Sequence, residues 1–128
     1  MVRCLILLNA LITHSDEPFI LITKPLKPKE AIWKINLSEC IESYIGHEAT
    51  AKLLEKLTSR PIAVNRAMYS PRNGDLAVIV RLRKRLEKVE DVKNVTESDI
   101  EFIEVRYIAG YEVPLEIDEN FNVRYITR

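Results

Sequence analysis

The sequence predicts an α/β fold of the α+β-like kind: a mixed central β-sheet of about five strands flanked by helices, with an added C-terminal β-hairpin. Three observations carry this. The opening run VRCLILL is almost continuously branched-aliphatic, the pattern of a strand buried on both faces. The stretch HEATAKLLEKLT repeats its apolar residues with helical spacing. Further short apolar runs, set apart by Pro, Gly, Asn and Asp, follow it to the end of the chain.

Taken in order, Val2 to Leu8 is the first strand and Asn9 to Pro18 a polar, turn-rich connection. Phe19 to Thr23 is a second strand, and Pro25 and Pro28 end it before a short helix in KEAIWKI. Residues 36–45 carry no clear signal. From His47 to Thr58, Thr50, Leu53, Leu54 and Leu57 form one helix face, and Glu48, Lys52 and Lys56 lie opposite. Glu48 and Lys52 stand in the favourable i, i+4 order, and Gly46 is an acceptable cap. Ile62 to Tyr69, the turn SPRNGD and Leu76 to about Arg85 read as a hairpin. Thr96 caps a brief helical turn ahead of the strand IEFIEVRYI. The tail alternates on either side of DEN, a second hairpin whose Pro114 suits an edge strand. All 128 residues make one domain, with a core over 1–109 and an extension over 110–128.

Composition narrows the function classes. Lys plus Arg and Asp plus Glu both number 19, so no global field draws the chain to nucleic acid or an anionic membrane, and any anion site is local. No window approaches the roughly 18 apolar residues of a membrane span, and the opening run lacks a cleavage site, so a cytoplasmic location is expected. Cys4 and Cys40 are far apart with no Cys-x-x-Cys spacing, which argues for buried thiols over a zinc site or a disulfide scaffold. No metal-ligand spacing, Walker loop or Rossmann pattern is present, and neither metal nor cofactor is expected. Glutamine is absent while Lys, Glu, Arg and Ile abound, a bias of proteins from hot habitats.

Three features could carry chemistry. Arg81, Arg83 and Arg85 share one face of an extended chain about 6.6 Å apart, close to the step between phosphates. They form either a nucleotide-backbone site or a solvated face paired with the acidic C-terminal third. Arg66 shares strand parity with Val64 and Met68, so either that row ends at the sheet edge or the guanidinium reaches a polar site. His47 stands where a helix begins. A helix N-terminus attracts phosphate, and a bound phosphate favours protonation of a neighbouring imidazole, so this is a position for a general acid or for an ordinary surface residue. His14, in the polar loop THSDEP, reads as solvent-exposed.

These pieces together resemble the small viral ring nucleases of type III anti-CRISPR function. The likeness rests on LLNA after the first strand, IGHEAT opening a helix, VNR beyond it, the GD-apolar run and the RL that follows, and it spans roughly residues 3 to 108. It implies a homodimer in the host cytoplasm, without a stable protein partner, that binds cyclic tetra-adenylate across its two-fold axis. It implies metal-independent cleavage to linear di-adenylates, with His47 as general acid. Arg85 and Arg66 would hold phosphates and stabilise the transition state, Arg85 as a catalytic residue, and Asn9 would orient the ligand. Gly46, Thr13, Arg81, Lys84 and Lys88 complete the candidate ligand-binding set. The family commonly carries a glutamate at the place of Lys88, so Glu87 beside it becomes the candidate for that carboxylate. A serine often found after the first strand is also missing; Ile12 stands near its place, with Thr13 adjacent. Two other readings stand beside this one: a non-cleaving sponge for the same ring, and a viral nucleic-acid-binding regulator.

Overall fold

The computed structural model describes residues 3–12, 18–83, 89–109, 115–117, 119–120 and 122–125. Five strands build the main sheet: β1 (Leu5–Leu8), β2 (Phe19–Leu26), β3 (Ile41–Ser43), β4 (Leu76–Leu82) and β5 (Ile100–Ala109). Their order is β2-β5-β4-β1-β3. β1 runs parallel to β3 and β4, and β5 runs antiparallel to β4 and β2. The helices are α1 (Pro28–Leu37) and α2 (Glu48–Thr58), and 3-10 turns cover Val89–Asn94 and Glu97–Asp99. A separate two-stranded sheet pairs β6 (Leu115–Ile117) with β7 (Val123–Tyr125), the expected terminal hairpin; Pro114 lies outside the described residues.

β1 is buried along its whole length, as its composition predicts. Leu5 and Leu7 join Val78, Val80 and Phe102 against Ala31, Ile35, Leu53 and Leu54 of the two helices. Ile6 and Leu8 face the other way, into a cluster with Tyr69, Ala77, Ile79 and Tyr107. No helix of the described residues covers that second face; the chain between α2 and β4 contributes Tyr69 to it instead. Aromatic rings cross it in series, Tyr44 to Tyr69 at 5.2 Å, Tyr69 to Tyr107 at 5.8 Å and Phe19 to Tyr107 at 6.2 Å.

α1 begins with Pro28 at its first position, where a missing N–H costs nothing. Its far end is closed from outside: the Arg60 guanidinium donates to the carbonyls of Ile35 and Ser38. Lys34 pairs with Glu104 of β5. In α2 the i, i+4 pair expected between Glu48 and Lys52 gives way to a Lys52–Glu55 contact at 3.6 Å. Thr96 caps its turn as expected, and Asp99 answers it in a reciprocal capping box on a 3-10 turn.

The second strand does not stop ahead of Pro25 but runs through it to Leu26, paired with β5 along its length, and two larger expectations are corrected. The first hairpin does not form. β4 takes β1 on one edge and β5 on the other, which leaves no free edge for residues 62–69. That segment crosses to the outer side of β3, where Val64 bridges Ile45 and the Asn65 N–H donates to the Ile45 carbonyl at 2.9 Å. The SPRNGD turn is real, with Gly74 at φ 83°, but it feeds a central strand. The second correction concerns the cysteines. Leu5 pairs with Ile41 in the β1–β3 register, so Cys4 and Cys40 lie opposite each other and are joined as a disulfide, with Cα atoms 4.4 Å apart.

Candidate functional site

In sheets with parallel strands, ligand sites gather beyond the strands' carboxyl ends, where loops diverge. Here β1, β3 and β4 point the same way, and the chain leaves β1 at Asn9 and β3 at Tyr44. Between those exits lies a cavity of about 230 Å³ whose wall includes Leu8, Asn9, Ile12, Tyr44, Arg66 and Met68. Arg66 and Met68 come from the strap that runs from α2 to β4.

The strap is fixed at its near end by Asn65. Its amide donates to the Ser43 carbonyl at 3.0 Å and accepts the Ala67 N–H at 3.0 Å. Arg66 then turns its Nε to the Gly46 carbonyl at 3.0 Å. The approach is close enough that a Cβ on Gly46 would meet Arg66 Cγ at 3.3 Å. Gly46→Ala is therefore expected to push the Arg66 stem aside and weaken anion binding several-fold, with little loss of stability. Anion titrations and melting curves on the same protein check both parts. Both sequence readings of Arg66 have a counterpart: the segment meets the sheet edge at the single Val64–Ile45 bridge, and the exposed guanidinium reaches one backbone carbonyl, that of Gly46.

His47 follows Gly46 and is the N-cap of α2, which starts at Glu48, one residue later than expected, so His47 takes the capping position expected of Gly46. It is exposed, and it makes no side-chain cap bond. The N–H groups of Glu48, Ala49 and Thr50 thus lack intrahelical acceptors and give the helix end its attraction for anions. The ring itself is steered by Thr50, which is only 5% exposed; its Oγ1 lies 3.3 Å from His47 Nδ1. In a protonated ring Nδ1–H donates to Thr50 Oγ1, which leaves Nε2–H as the donor available to a ligand. Thr50 is a functional candidate that sequence reasoning had assigned to the apolar face. The i, i+3 spacing from His47 on a helix was its signal.

The far end of the strap is anchored in a buried polar knot. Asp75, 6% exposed, accepts from Tyr69 Oη at 2.5 Å and from Arg72 N and Nε at 3.1 Å each; Arg72 also donates to Glu42 at 2.7 Å. Burial, then the bond to Asp75, hold the Tyr69 phenol well above the ordinary value, and burial raises Tyr107 as well. The sign follows from the protons: above about pH 10 the unfolded chain loses phenolic protons that the native state keeps. Stability should be complete below that point and fall as pH rises past it. Tyr69→Phe should make the fall shallower, as denaturant midpoints on either side of about pH 10 will read.

The candidate residues divide three ways. Asn9, Gly46 and Arg66 line one cavity, with His47 adjacent in the chain. Arg81 is exposed near the end of β4, on the face of Ala77 and Ile79, and is not part of the cavity wall. Arg83 is engaged by the chain, its Nη1 donating to the Ser98 carbonyl at 2.9 Å, so the arginine row is in part structural. Thr13, His14, Lys84, Arg85, Glu87 and Lys88 lie outside the described residues. Among the described residues no three His, Cys, Asp or Glu side chains gather in a possible metal site, and no helix is long and apolar enough to cross a membrane.

Known proteins share this architecture. B116 of Sulfolobus turreted icosahedral virus superposes with a TM-score of 0.67, over 80% of this chain and 98% of that one, at 24% identity. "Uncharacterized protein 26" of Sulfolobus islandicus filamentous virus (isolate Iceland/Hveragerdi) is 34% identical over 89 residues, which are 60% of this chain and 75% of that protein. Both come from viruses of Sulfolobus, which agrees with the expected kinship to small archaeal-virus proteins. The STIV B116-like family model matches residues 5–107, from the first residue of β1 nearly to the end of β5. β6 and β7 lie beyond that span. On this match, the chain belongs to the STIV B116-like family.

Proposed function

We propose that this protein is a phosphodiesterase that opens cyclic tetra-adenylate into linear di-adenylates and so silences type III CRISPR signalling. The observation that carries the reading is the pairing of Arg66 with the Gly46 carbonyl, which sets a guanidinium beside the N-terminus of α2 and next to His47. A phosphate there meets the guanidinium and the unpaired helix N–H groups at once. In the reaction the neighbouring ribose 2′-hydroxyl gives its proton to solvent water and its oxygen forms a bond to phosphorus as the bond from phosphorus to the 5′-oxygen breaks. The departing oxygen takes a proton from Nε2 of the imidazolium form of His47, which becomes the neutral ring, and a 2′,3′-cyclic phosphate remains on the other fragment. Arg66 stabilises the charge that builds on the non-bridging oxygens. The nucleophile belongs to the substrate, so the protein's tasks are alignment, protonation and anion stabilisation. A ring of four equal nucleotides has a two-fold axis, and a homodimer would offer it two copies of His47 for two cuts.

The test is incubation of the purified protein with labelled cyclic tetra-adenylate in EDTA. Linear di-adenylates are the expected products. Retention of the intact ring on the protein would identify a sequestering protein instead. Indifference to the ring, with salt-sensitive binding of duplex or single-stranded nucleic acid, would overturn both.

A further inference from the structure

We propose that the cavity between the loop after β1 and the strap is a seat for a single nucleobase, in which Tyr44 and Met68 hold the ring's faces and Asn9 reads its edge as adenine. The proposal rests on the phosphodiesterase reading and assigns the residues that recognise the base.

Size sets the first limit. At about 230 Å³ the cavity is smaller than the roughly 300–1,000 Å³ that encloses a whole drug-sized ligand, so it takes one flat ring of a larger molecule and not a tetranucleotide. Wall chemistry sets the second. Arg66 is the one charged residue among the lining residues, and most of the others are apolar. Met68 is 86% exposed, the most exposed large hydrophobic side chain among the described residues. The strap that carries it is fastened at Asn65 and at Asp75, so the backbone holds this thioether out over the cavity instead of letting it fold into the core. A polarisable sulfur and a tyrosine ring suit the faces of an aromatic base.

The polar groups select among bases. Asn65 has both ends of its amide occupied by backbone. Asn9 is exposed, lines the cavity and has no side-chain partner among the described residues. A carboxamide offers one acceptor and one donor side by side, the complement of adenine N6–H and N7, whereas guanine presents two acceptors on the same edge. A base held in this way would leave its phosphate within reach of Arg66.

Methyl NMR tests this directly, because the chain has two methionines and Met1 serves as the internal control for Met68. The His47→Ala protein, with methyl-labelled methionine, is titrated with cyclic tetra-adenylate, adenosine 5′-monophosphate, guanosine 5′-monophosphate and ribose 5-phosphate, with calorimetry in parallel. The Met68 methyl should shift by ring currents with both adenine ligands, and neither methyl should move with ribose 5-phosphate. Asn9→Asp should lower adenine affinity by roughly 10- to 100-fold. Binding heat for the cyclic ring without movement of Met68, or Asn9→Asp binding adenine as tightly as the parent, overturns the base seat while leaving the phosphodiesterase reading intact. A Met68 shift with adenosine 5′-monophosphate but no response to the cyclic ring overturns the phosphodiesterase reading and keeps the seat. A Met68 methyl unmoved by every adenine ligand overturns the seat.

Discussion

Cys40→Ser should lower stability by about 4 kcal/mol, which for a chain of this length is a drop in melting temperature of roughly 15 °C. The disulfide joins Cys4 and Cys40 across a sequence separation of 36, so its loss returns a long loop's freedom to the unfolded chain. It also ties the start of β1 to the residue ahead of β3, where the Leu5 N–H already donates to the Cys40 carbonyl at 2.9 Å. β3 has only three residues, so little else holds its register. Calorimetry of the parent, Cys4→Ser, Cys40→Ser and the double variant is the measurement. The two single variants and the double should lose about the same amount, since one bond is removed in each case. Melting that is equal in oxidised and reduced parent protein would refute the tie.

His47→Ala should reduce cleavage of cyclic tetra-adenylate by about 10²- to 10⁴-fold, the usual worth of a general acid, and change affinity for the ring only a few-fold. In the proposed mechanism the separation arises because phosphate is held by Arg66 and the helix N–H groups, neither of which the substitution removes. Thr50→Val is the companion case. It keeps the buried volume but offers no oxygen to hydrogen-bond Nδ1, and it should cost about 10-fold in rate through a ring that is no longer aligned. Single-turnover rates set beside direct binding separate the two quantities. A His47→Ala protein that cleaves at the parental rate would remove the acid from the mechanism.

How far sequence reached depends on the range of the interactions involved. Thr96 and Asp99 met in their capping box because three residues separate them, and Pro28 opened α1 for an equally local reason. Residues 62–69 had strand composition and a strong turn after them, yet strand pairing is decided by which edges are vacant, and both edges of β4 were taken by β1 and β5. The strap that resulted supplies Arg66, Met68 and Tyr69, so the site's shape could not be drawn from local pattern even though Asn9, Gly46, Arg66 and His47 were marked by motif.

By itself the sequence determined the elements: a first strand buried on both faces, two helices, a long fifth strand and a terminal hairpin. Hydrophobic period, prolines and caps act within a few residues and are written in the chain directly. Tertiary structure alone decided the rest. Parallel pairing of β1 with β3 brought Cys4 to Cys40, the return of the strap brought Arg66 to Gly46, and the fold of the second face buried Asp75 beneath Tyr69. Each joins residues that local pattern does not relate, and such contacts exist only once the sheet order is set.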